Sequence, residues 1–235
     1  MKILSIDTSS NICTVAILDD TNLIAQKTLD DTKNHSEKIM PIIADTLESV
    51  NLTLNDIDLI VSDKGPGSFT GIRIGTATVM AFADSLQIET IGISSLEALA
   101  YNERNNSETK YICSLIDAKN DNAYFAIYSI NNSNITLVNE PDCDNINNII
   151  DIVSNYKDII FVGDGAVAYC ELLKNNLHDC KISSSNTLSS YSLGIAGLNA
   201  FKSNRKDDIL PLYLRKPQAE RALEGKNKGI DSHEN

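Results

Sequence analysis

The sequence predicts a duplicated α/β fold with two lobes, because two distant segments share one plan. Segment 3–18, ILSIDTSSNICTVAIL, has an apolar strand, a polar turn and an alternating strand, and segment 113–128, CSLIDAKNDNAYFAIY, repeats that order. Without a gap, Asp7 falls on Asp117 and Ala16 falls on Ala126. An internal repeat of a strand–turn–strand unit indicates that each half begins its own lobe.

The aspartate that ends the first strand of each copy leaves two interpretations open. A carboxylate before a polar turn can orient a metal-bound water or a phosphate. Asp and Ser can also cap the turn by hydrogen bonding to their own backbone. Because any two β-hairpins look alike to some degree, the shared aspartate is what favours a duplication.

In the first half, apolar residues at helical spacing predict a helix over about 34–50, with Asn34 as its N-cap. Pro41 lacks an amide hydrogen, so this helix is expected to kink or to start late. Strands are expected near 58–62 and 89–93. A long helix follows Gly71, and another is capped by Ser94 or Ser95.

In the second half, the asparagine-rich stretches 102–110 and 131–148 predict a lobe connection and a surface loop. Segment 157–173 predicts a strand, a glycine turn and a helix, and a last helix is expected at about 190–202. The predicted organisation is a first lobe of residues 1–104, a second lobe of 105–215 and a polar tail of 216–235. The last helix of the second lobe can pack back on the first.

Composition excludes several function classes. The net charge of −12 and pI of about 4.6 argue against a chain that grips nucleic acid by itself, because such domains carry a basic patch. No apolar run is long enough for a membrane helix and no leader peptide is evident, so a cytoplasmic protein is expected. Five cysteines without a C-x-x-C pair predict reduced thiols: Cys13, Cys113, Cys143, Cys170 and Cys180.

The stretch GPGSFTG, residues 65–71, resembles a phosphate loop but lacks its key groups. A P-loop needs Lys and Ser or Thr after its last glycine, whereas Ile72 and Arg73 follow Gly71 here. The dinucleotide pattern G-x-G-x-x-G also fails. The loop is expected to be a structural turn, with anion binding at the following helix as the alternative, on Gly65, Gly67, Ser68, Thr70 and Gly71.

The helix after Gly71 is apolar or small on nearly every side. Such a helix is either buried in its own domain or covered by another protein. Two modest lobes have difficulty covering both faces internally, which favours a partner interface.

Several motifs together resemble the TsaB (YeaZ) family: IDTSS, HSEKIMP, GPGSFTGIRIG, GISSLEALA, GDGA and LYLR. The resemblance extends over almost the whole chain, and GPGSFTG with SSLEALA is its specific part. It implies an actin/Hsp70/sugar-kinase-like (ribonuclease H-like) two-lobe fold, in agreement with the repeat. It also implies a role in synthesis of tRNA N6-threonylcarbamoyladenosine.

In this family, TsaB is a scaffold that holds TsaD, the subunit that transfers the threonylcarbamoyl group to adenosine, and TsaE joins the assembly. The resemblance therefore implies a non-catalytic subunit that forms a heterodimer with TsaD, or a homodimer without it, and meets tRNA only through the complex. It implies a partner interface in the first lobe at Ile39, Ile43, Leu47, Arg73, Ile74, Thr78, Ala81 and Phe82. It also implies a degenerate nucleotide site at Asp7, Thr8, Ser9, Asp117, Gly163, Asp164 and Gly165.

No metal site or catalytic residue is expected. TsaD-like relatives carry two metal-binding histidines four residues apart, and the corresponding positions here resemble Ser95 and Leu99, which form no such pair. His35, His178 and His233 have no metal-site spacing. No cofactor is expected in the isolated chain, and ATP or ADP at the complex interface is left open.

One alternative function remains open, an ATP-dependent phosphotransferase or ATPase of the actin-like superfamily. Its support is the repeated aspartate turn, with Asp7, Asp117 and Asp121 as possible magnesium ligands. No residue stands out as its catalytic base. The second turn also departs from the family pattern DARR-x-EVY, since residues 117–124 read DAKNDNAY.

Overall fold

The computed structural model describes residues 1–10, 12–30 and 35–215. The predicted cap Asn34, the tail 216–235 and His233 lie outside the described residues, as does the side chain of His35. Within the described ranges, no helix has the length and apolar character needed to cross a membrane.

Two five-stranded mixed sheets form the frame of the molecule. The first has the order β3-β2-β1-β4-β5, with β1 Lys2–Asp7, β2 Ile12–Asp19, β3 Asn22–Asp30, β4 Leu59–Asp63 and β5 Glu89–Ile93. The second has the order β10-β9-β6-β7-β8, with β6 Tyr111–Asp117, β7 Asn122–Asn131, β8 Asn134–Asn145, β9 Ile159–Val162 and β10 Lys181–Ile182. Because both sheets have the same strand order and the same parallel and antiparallel pairs, the predicted duplication is confirmed.

The two repeated hairpins differ in the length of their turns. Asp7 lies opposite Thr14 in the β1–β2 pair, whereas Asp117 lies opposite Ala123 in the β6–β7 pair. The second turn is therefore one residue shorter. The ungapped alignment of Ala16 with Ala126 consequently does not preserve the pairing register.

Seven α-helices are described: α1 His35–Glu48, α2 Phe69–Leu86, α3 Ser95–Ala100, α4 Ile146–Val153, α5 Asp164–Ala168, α6 Cys170–Asn176 and α7 Ser190–Lys202. Pro41 lies inside α1. The surface loop predicted over 131–148 is wrong, because most of it forms β8. This strand lies at the edge of its sheet, and its exposed positions mix polar residues with Leu137 and Val138, so its sequence lacks the alternation of a half-buried strand.

The helices sandwich both sheets. Helices α1 and α2 pack on one face of the first sheet, and α7 packs on the opposite face with α3. Gly197 allows α7 to approach closely, since a Cβ there would meet Val61 Cγ2 at 2.3 Å. On the second sheet, α4, α5 and α6 cover one face and α3 covers the other. Helix α3 therefore lies between the two sheets and packs against both.

Candidate functional site

The glycine-rich loop is seated directly on the turn that follows β1. A Cβ on Gly71 would lie 1.9 Å from the Thr8 carbonyl oxygen, and one on Gly67 would lie 2.4 Å from that of Ser9. Only glycine allows so close an approach of two backbones. The Ser68 N–H donates to the Ser9 carbonyl at 2.6 Å, and the Thr8 hydroxyl donates to the Gly71 carbonyl at 2.7 Å.

The remaining groups of this loop also have internal partners. The Ser68 hydroxyl caps α2 by accepting from the Gly71 N–H at 3.2 Å, and Gly65, with a φ of +94°, donates its N–H to Asp63 at 2.6 Å. Thr70 is exposed on the first turn of α2. Because the polar groups of the loop and of the turn after β1 hydrogen-bond to one another, the geometry favours a structural turn over an anion-binding loop.

Beneath the loop lie two buried aspartates. The Asp63 carboxylate accepts from the Gly65 N–H, from the Ser9 hydroxyl at 2.8 Å and from the Ser95 hydroxyl at 2.8 Å. Asp7 accepts from the Ser9 N–H at 2.7 Å, and its Oδ2 has no hydrogen-bond partner among the described residues. Burial, followed by the charge of Asp63, raises the pKa of Asp7 well above its ordinary value of 3.8.

Burial also raises the pKa of Asp63, but its donors favour the charged form. The arrangement therefore places the negative charge on Asp63 and a proton on Asp7. A protonated, enclosed carboxyl is a poor magnesium ligand, because hard cations bind ionised oxygen donors.

The corresponding turn of the second lobe is more open. Asp117 accepts from the Lys119 amino group at 2.6 Å and from the Tyr169 hydroxyl at 3.2 Å. Burial acts to raise the pKa of Asp117, but the hydrogen bonds from Lys119 outweigh it and lower that pKa. Asp164 accepts from the Asp117 N–H at 3.1 Å, and burial raises the pKa of Asp164.

The glycine turn of this lobe packs on the end of β6, whereas the glycine-rich loop of the first lobe packs on the turn after β1. Gly163 has a φ of +114°, and a Cβ there would lie 2.1 Å from the Leu115 carbonyl oxygen. A Cβ on Gly165 would lie 3.0 Å from the same oxygen. Glycines of each lobe therefore close the turn of that lobe, and a degenerate nucleotide site at these turns stays a prediction.

A C-terminal segment, residues 207–215, joins the two turns. Its Leu212 N–H donates to the Lys64 carbonyl at 2.7 Å, next to the glycine-rich loop, and its Arg215 guanidinium donates to the Ala118 carbonyl at 2.7 Å. Tyr213 stacks on Phe69 with ring centroids 4.8 Å apart. The C-terminal segment therefore connects the turn of the first lobe to the turn of the second.

The predicted partner interface needs correction. Ile39, Ile43, Leu47 and Phe82 are buried in the core between α1, α2 and the first sheet, so they are unavailable to a partner. Ile74 and Thr78 are half-buried. Only Arg73 and Ala81 of the predicted set are exposed, and the Arg73 Nε donates to the Tyr213 hydroxyl at 2.8 Å.

The exposed side of these helices carries residues that sequence reasoning missed. Met40 and Met80 are 50% and 44% exposed, and the small or apolar residues beside them are exposed too. We define the α1–α2 face by six residues: Met40, Pro41, Ala44, Ala77, Met80 and Ala81. The sequence signal for this face was a row at helical spacing along α2, in which small residues separate the charged residues at the two ends: Arg73, Ala77, Ala81 and Asp84.

No group of His, Cys, Asp or Glu in the described ranges is placed to hold a metal ion. Of the two positions that resemble the TsaD histidines, Leu99 is buried against the second sheet and Ser95 donates to Asp63. Leu99 has no ligand atom and the Ser95 hydroxyl is already bonded, so neither supplies a metal ligand.

Comparison with known proteins identifies the family. The family model described as "TsaD: tRNA N6-adenosine threonylcarbamoyltransferase" matches residues 22–223. The chain is 35% identical over 165 residues to the "tRNA threonylcarbamoyladenosine biosynthesis protein TsaB" of Buchnera aphidicola subsp. Schizaphis graminum, which covers 69% of this chain and 78% of that protein. It is also 35% identical over 129 residues to the protein of the same name from Escherichia coli, but there the match spans only 55% of that protein and 54% of this chain.

Solved structures agree on the fold. A Pseudomonas aeruginosa protein described as similar to peptidase YeaZ matches with a TM-score of 0.77 and 24% identity, over 91% of this chain and 99% of that one. An inorganic polyphosphate/ATP-glucomannokinase from Arthrobacter matches with a TM-score of 0.52 and 9% identity, over 86% and 99%. These likenesses confirm the two-lobe fold shared with sugar kinases. On the family model and the Buchnera relative together, the chain belongs to the TsaB (YeaZ) family.

Proposed function

We propose that this chain is a scaffold and dimerisation subunit in tRNA N6-threonylcarbamoyladenosine biosynthesis, where it supports transfer of the threonylcarbamoyl group to tRNA adenosine by TsaD. The relatives that carry the name of this pathway, and the match to the TsaD family model, support the pathway. In the proposal the chain works in the cytoplasm and forms a heterodimer with TsaD. It forms a homodimer when TsaD is absent, and TsaE joins the assembly.

The observation that carries the proposal is the α1–α2 face. These two helices contact each other on one side of the first sheet, and their outer sides carry two half-exposed methionines among alanines and a proline. Methionine adapts its shape to a partner surface, and small residues let a facing helix approach closely. An outward apolar strip on adjacent helices is the form of a protein-binding surface.

A non-catalytic role fits the first lobe. The Thr8 hydroxyl and the Ser9 N–H and hydroxyl, which a phosphate would need as donors, already serve Gly71, Asp7 and Asp63. The alternative of an ATP-dependent phosphotransferase is therefore less favoured. The proposal gives the isolated chain no cofactor, places any ATP or ADP at the interface with TsaD, and has tRNA reach the chain only through the complex.

The test replaces Met80 with glutamate and measures affinity for purified TsaD by calorimetry. We expect the Kd to rise by about 100-fold or more, because burying a lone carboxylate in an apolar contact costs several kcal/mol and each ~1.4 kcal/mol is tenfold. Val138→Glu is the matched control, since Val138 is 45% exposed on the edge strand β8 of the other lobe. Equal affinity of Met80→Glu and wild type for TsaD would contradict the proposed interface.

The alternative function has its own measurement. Titration of the isolated chain with Mg-ATP should give no heat of micromolar binding and no phosphate release. Micromolar binding with turnover would instead support a phosphotransferase or ATPase, whatever the result with TsaD.

A further inference from the structure

A polar cavity lies at the start of α7, on the side of the first sheet opposite the α1–α2 face. Its volume is about 420 Å³, within the ~300–1,000 Å³ typical of ligand pockets. The walls come from the start of α7, the serine-rich loop 184–189, and Asn102 and Arg104. None of the described residues that line it is Asp or Glu.

Arg104 supplies the positive charge of this cavity. Its guanidinium lies 4.9 Å from the centre of the Tyr191 ring and donates to the Tyr191 hydroxyl at 2.9 Å. Among the described residues, no carboxylate forms an ion pair with it. The neighbouring Glu103 is occupied elsewhere, because it accepts from Ser183 and Asn106. A half-buried guanidinium held by an aromatic ring keeps free donors for an anion.

Helix α7 adds the partial positive charge of its N-terminus. The helix has 13 residues, and the Ser189 hydroxyl caps it by accepting from the Tyr191 N–H at 3.2 Å. Ser192, in the first turn, lines the cavity and is only 4% exposed, yet its hydroxyl has no hydrogen-bond partner among the described residues. Because Ser192 lines the cavity, its unpartnered hydroxyl is free to donate to a bound group.

The wall opposite the helix is held in place without a ligand. The Asn102 side-chain amide donates to the Ser185 carbonyl at 2.8 Å and to the Thr187 carbonyl at 3.0 Å. Asn186 accepts from the Gly163 N–H at 3.0 Å, which ties the same loop to the glycine turn of the second lobe. The loop is therefore fixed from both lobes, and its hydroxyl groups need little ordering on binding.

We propose that this cavity, the Arg104 cavity, binds the phosphate group of a small phosphorylated ligand. Arg104 pairs with the phosphate oxygens, the Ser192 hydroxyl donates to one of them, and the N-terminus of α7 stabilises the negative charge. The absence of lining carboxylates lowers the local repulsion on an anion, although the chain as a whole is acidic. The cavity lies on the opposite side of the first sheet from the α1–α2 face, and its test uses the isolated chain.

The test titrates the chain with inorganic phosphate at constant ionic strength and follows the midpoint of thermal unfolding. We expect a saturable rise of the midpoint, because a ligand that binds only the folded state stabilises it. Arg104→Gln should weaken the apparent affinity by about tenfold, and Ser192→Ala by less. Arg73→Gln is the matched control, since Arg73 also lies over a tyrosine ring, 5.6 Å from the centre of Tyr213, and it should leave the affinity unchanged.

Further arms keep the test decisive. Arg104→Lys retains the charge and should recover part of the affinity, which separates charge from folding defects in Arg104→Gln. Adenosine should have no effect, whereas AMP should act like phosphate or better. A midpoint that responds equally to phosphate and to chloride, a loss of affinity in Arg73→Gln as large as in Arg104→Gln, or binding of adenosine without phosphate would overturn the proposal.

Discussion

Replacement of Gly71 by alanine tests whether the glycine-rich loop is a packed turn or an open anion cradle. Gly71 lies in the first turn of α2, where alanine would ordinarily gain about 1 kcal/mol of helix propensity. In this structure, however, the added Cβ would lie 1.9 Å from the Thr8 carbonyl oxygen. The obstacle is backbone, which cannot rotate away as a side chain can, so the loop has to move.

The cost follows from the contacts that such a movement disturbs. Overpacking of a tight site costs roughly 1–3 kcal/mol. Loss of the Ser68 to Ser9 and Thr8 to Gly71 hydrogen bonds adds about 0.5–1.5 kcal/mol each. After subtraction of the propensity gain, we expect a loss of about 3 kcal/mol, a large part of the ~5–15 kcal/mol that stabilises a folded protein.

The assay is urea unfolding of the isolated chain, with thermal unfolding beside it. A loss of about 3 kcal/mol should lower the melting midpoint by roughly 6–12 °C for a chain of this size. Ala77→Gly, at an exposed position of the same helix, is the control for propensity and should cost only about 1 kcal/mol. A Gly71→Ala protein as stable as wild type would refute the packed-turn interpretation and revive the anion cradle.

Two further predictions concern buried titratable groups. The pKa of Asp7 is raised in the folded state, so above pH 3.8 the unfolded state binds fewer protons than the folded state. The stabilisation from this carboxyl is therefore lost as the pH rises towards the folded pKa, by up to ~1.4 kcal/mol per pH unit. Asp7→Asn should remove that loss. Urea unfolding from pH 4 to 9 should therefore show the free energy of unfolding of Asp7→Asn rising relative to wild type as the pH increases. Parallel pH dependences of the two proteins would contradict a protonated Asp7. Burial raises the pKa of the Cys13 thiol to about 12 and that of Cys113 further still, so neither should react with iodoacetamide in the native protein at pH 8; early labelling of either, seen by mass spectrometry, would show that its lobe opens.

The repeated hairpins and the glycine-rich loop could be predicted from sequence because their causes are local. Strand alternation and the aspartates at the strand ends stand within a few residues of each other, and helix α7 begins and ends where its apolar spacing predicted. Strand β8 could not be predicted in this way. Its identity depends on pairing with β7, and its sequence, in which Leu137 and Val138 are both exposed among polar residues, has no strand periodicity to distinguish it from a loop.

The choice of outward face on α1 and α2 also required the tertiary structure. Ile39 and Met40 are both apolar, and helical spacing allows a stripe through either one. Packing against the first sheet buries Ile39 and leaves Met40 half-exposed. The composition of the helices therefore pointed to a partner, but not to the residues that would touch it.

The sequence alone determined the architecture, with two copies of one sheet and glycines where two backbones meet. It also showed an acidic composition without a recognisable metal motif. What only folding decided is which groups meet across long separations. Asp7 and Asp63 are brought into one buried pair, and Arg104 faces the start of α7 nearly ninety residues later in the chain. The physical reason is that burial, pKa and charge pairing depend on neighbours in space, which local spacing along the chain does not specify.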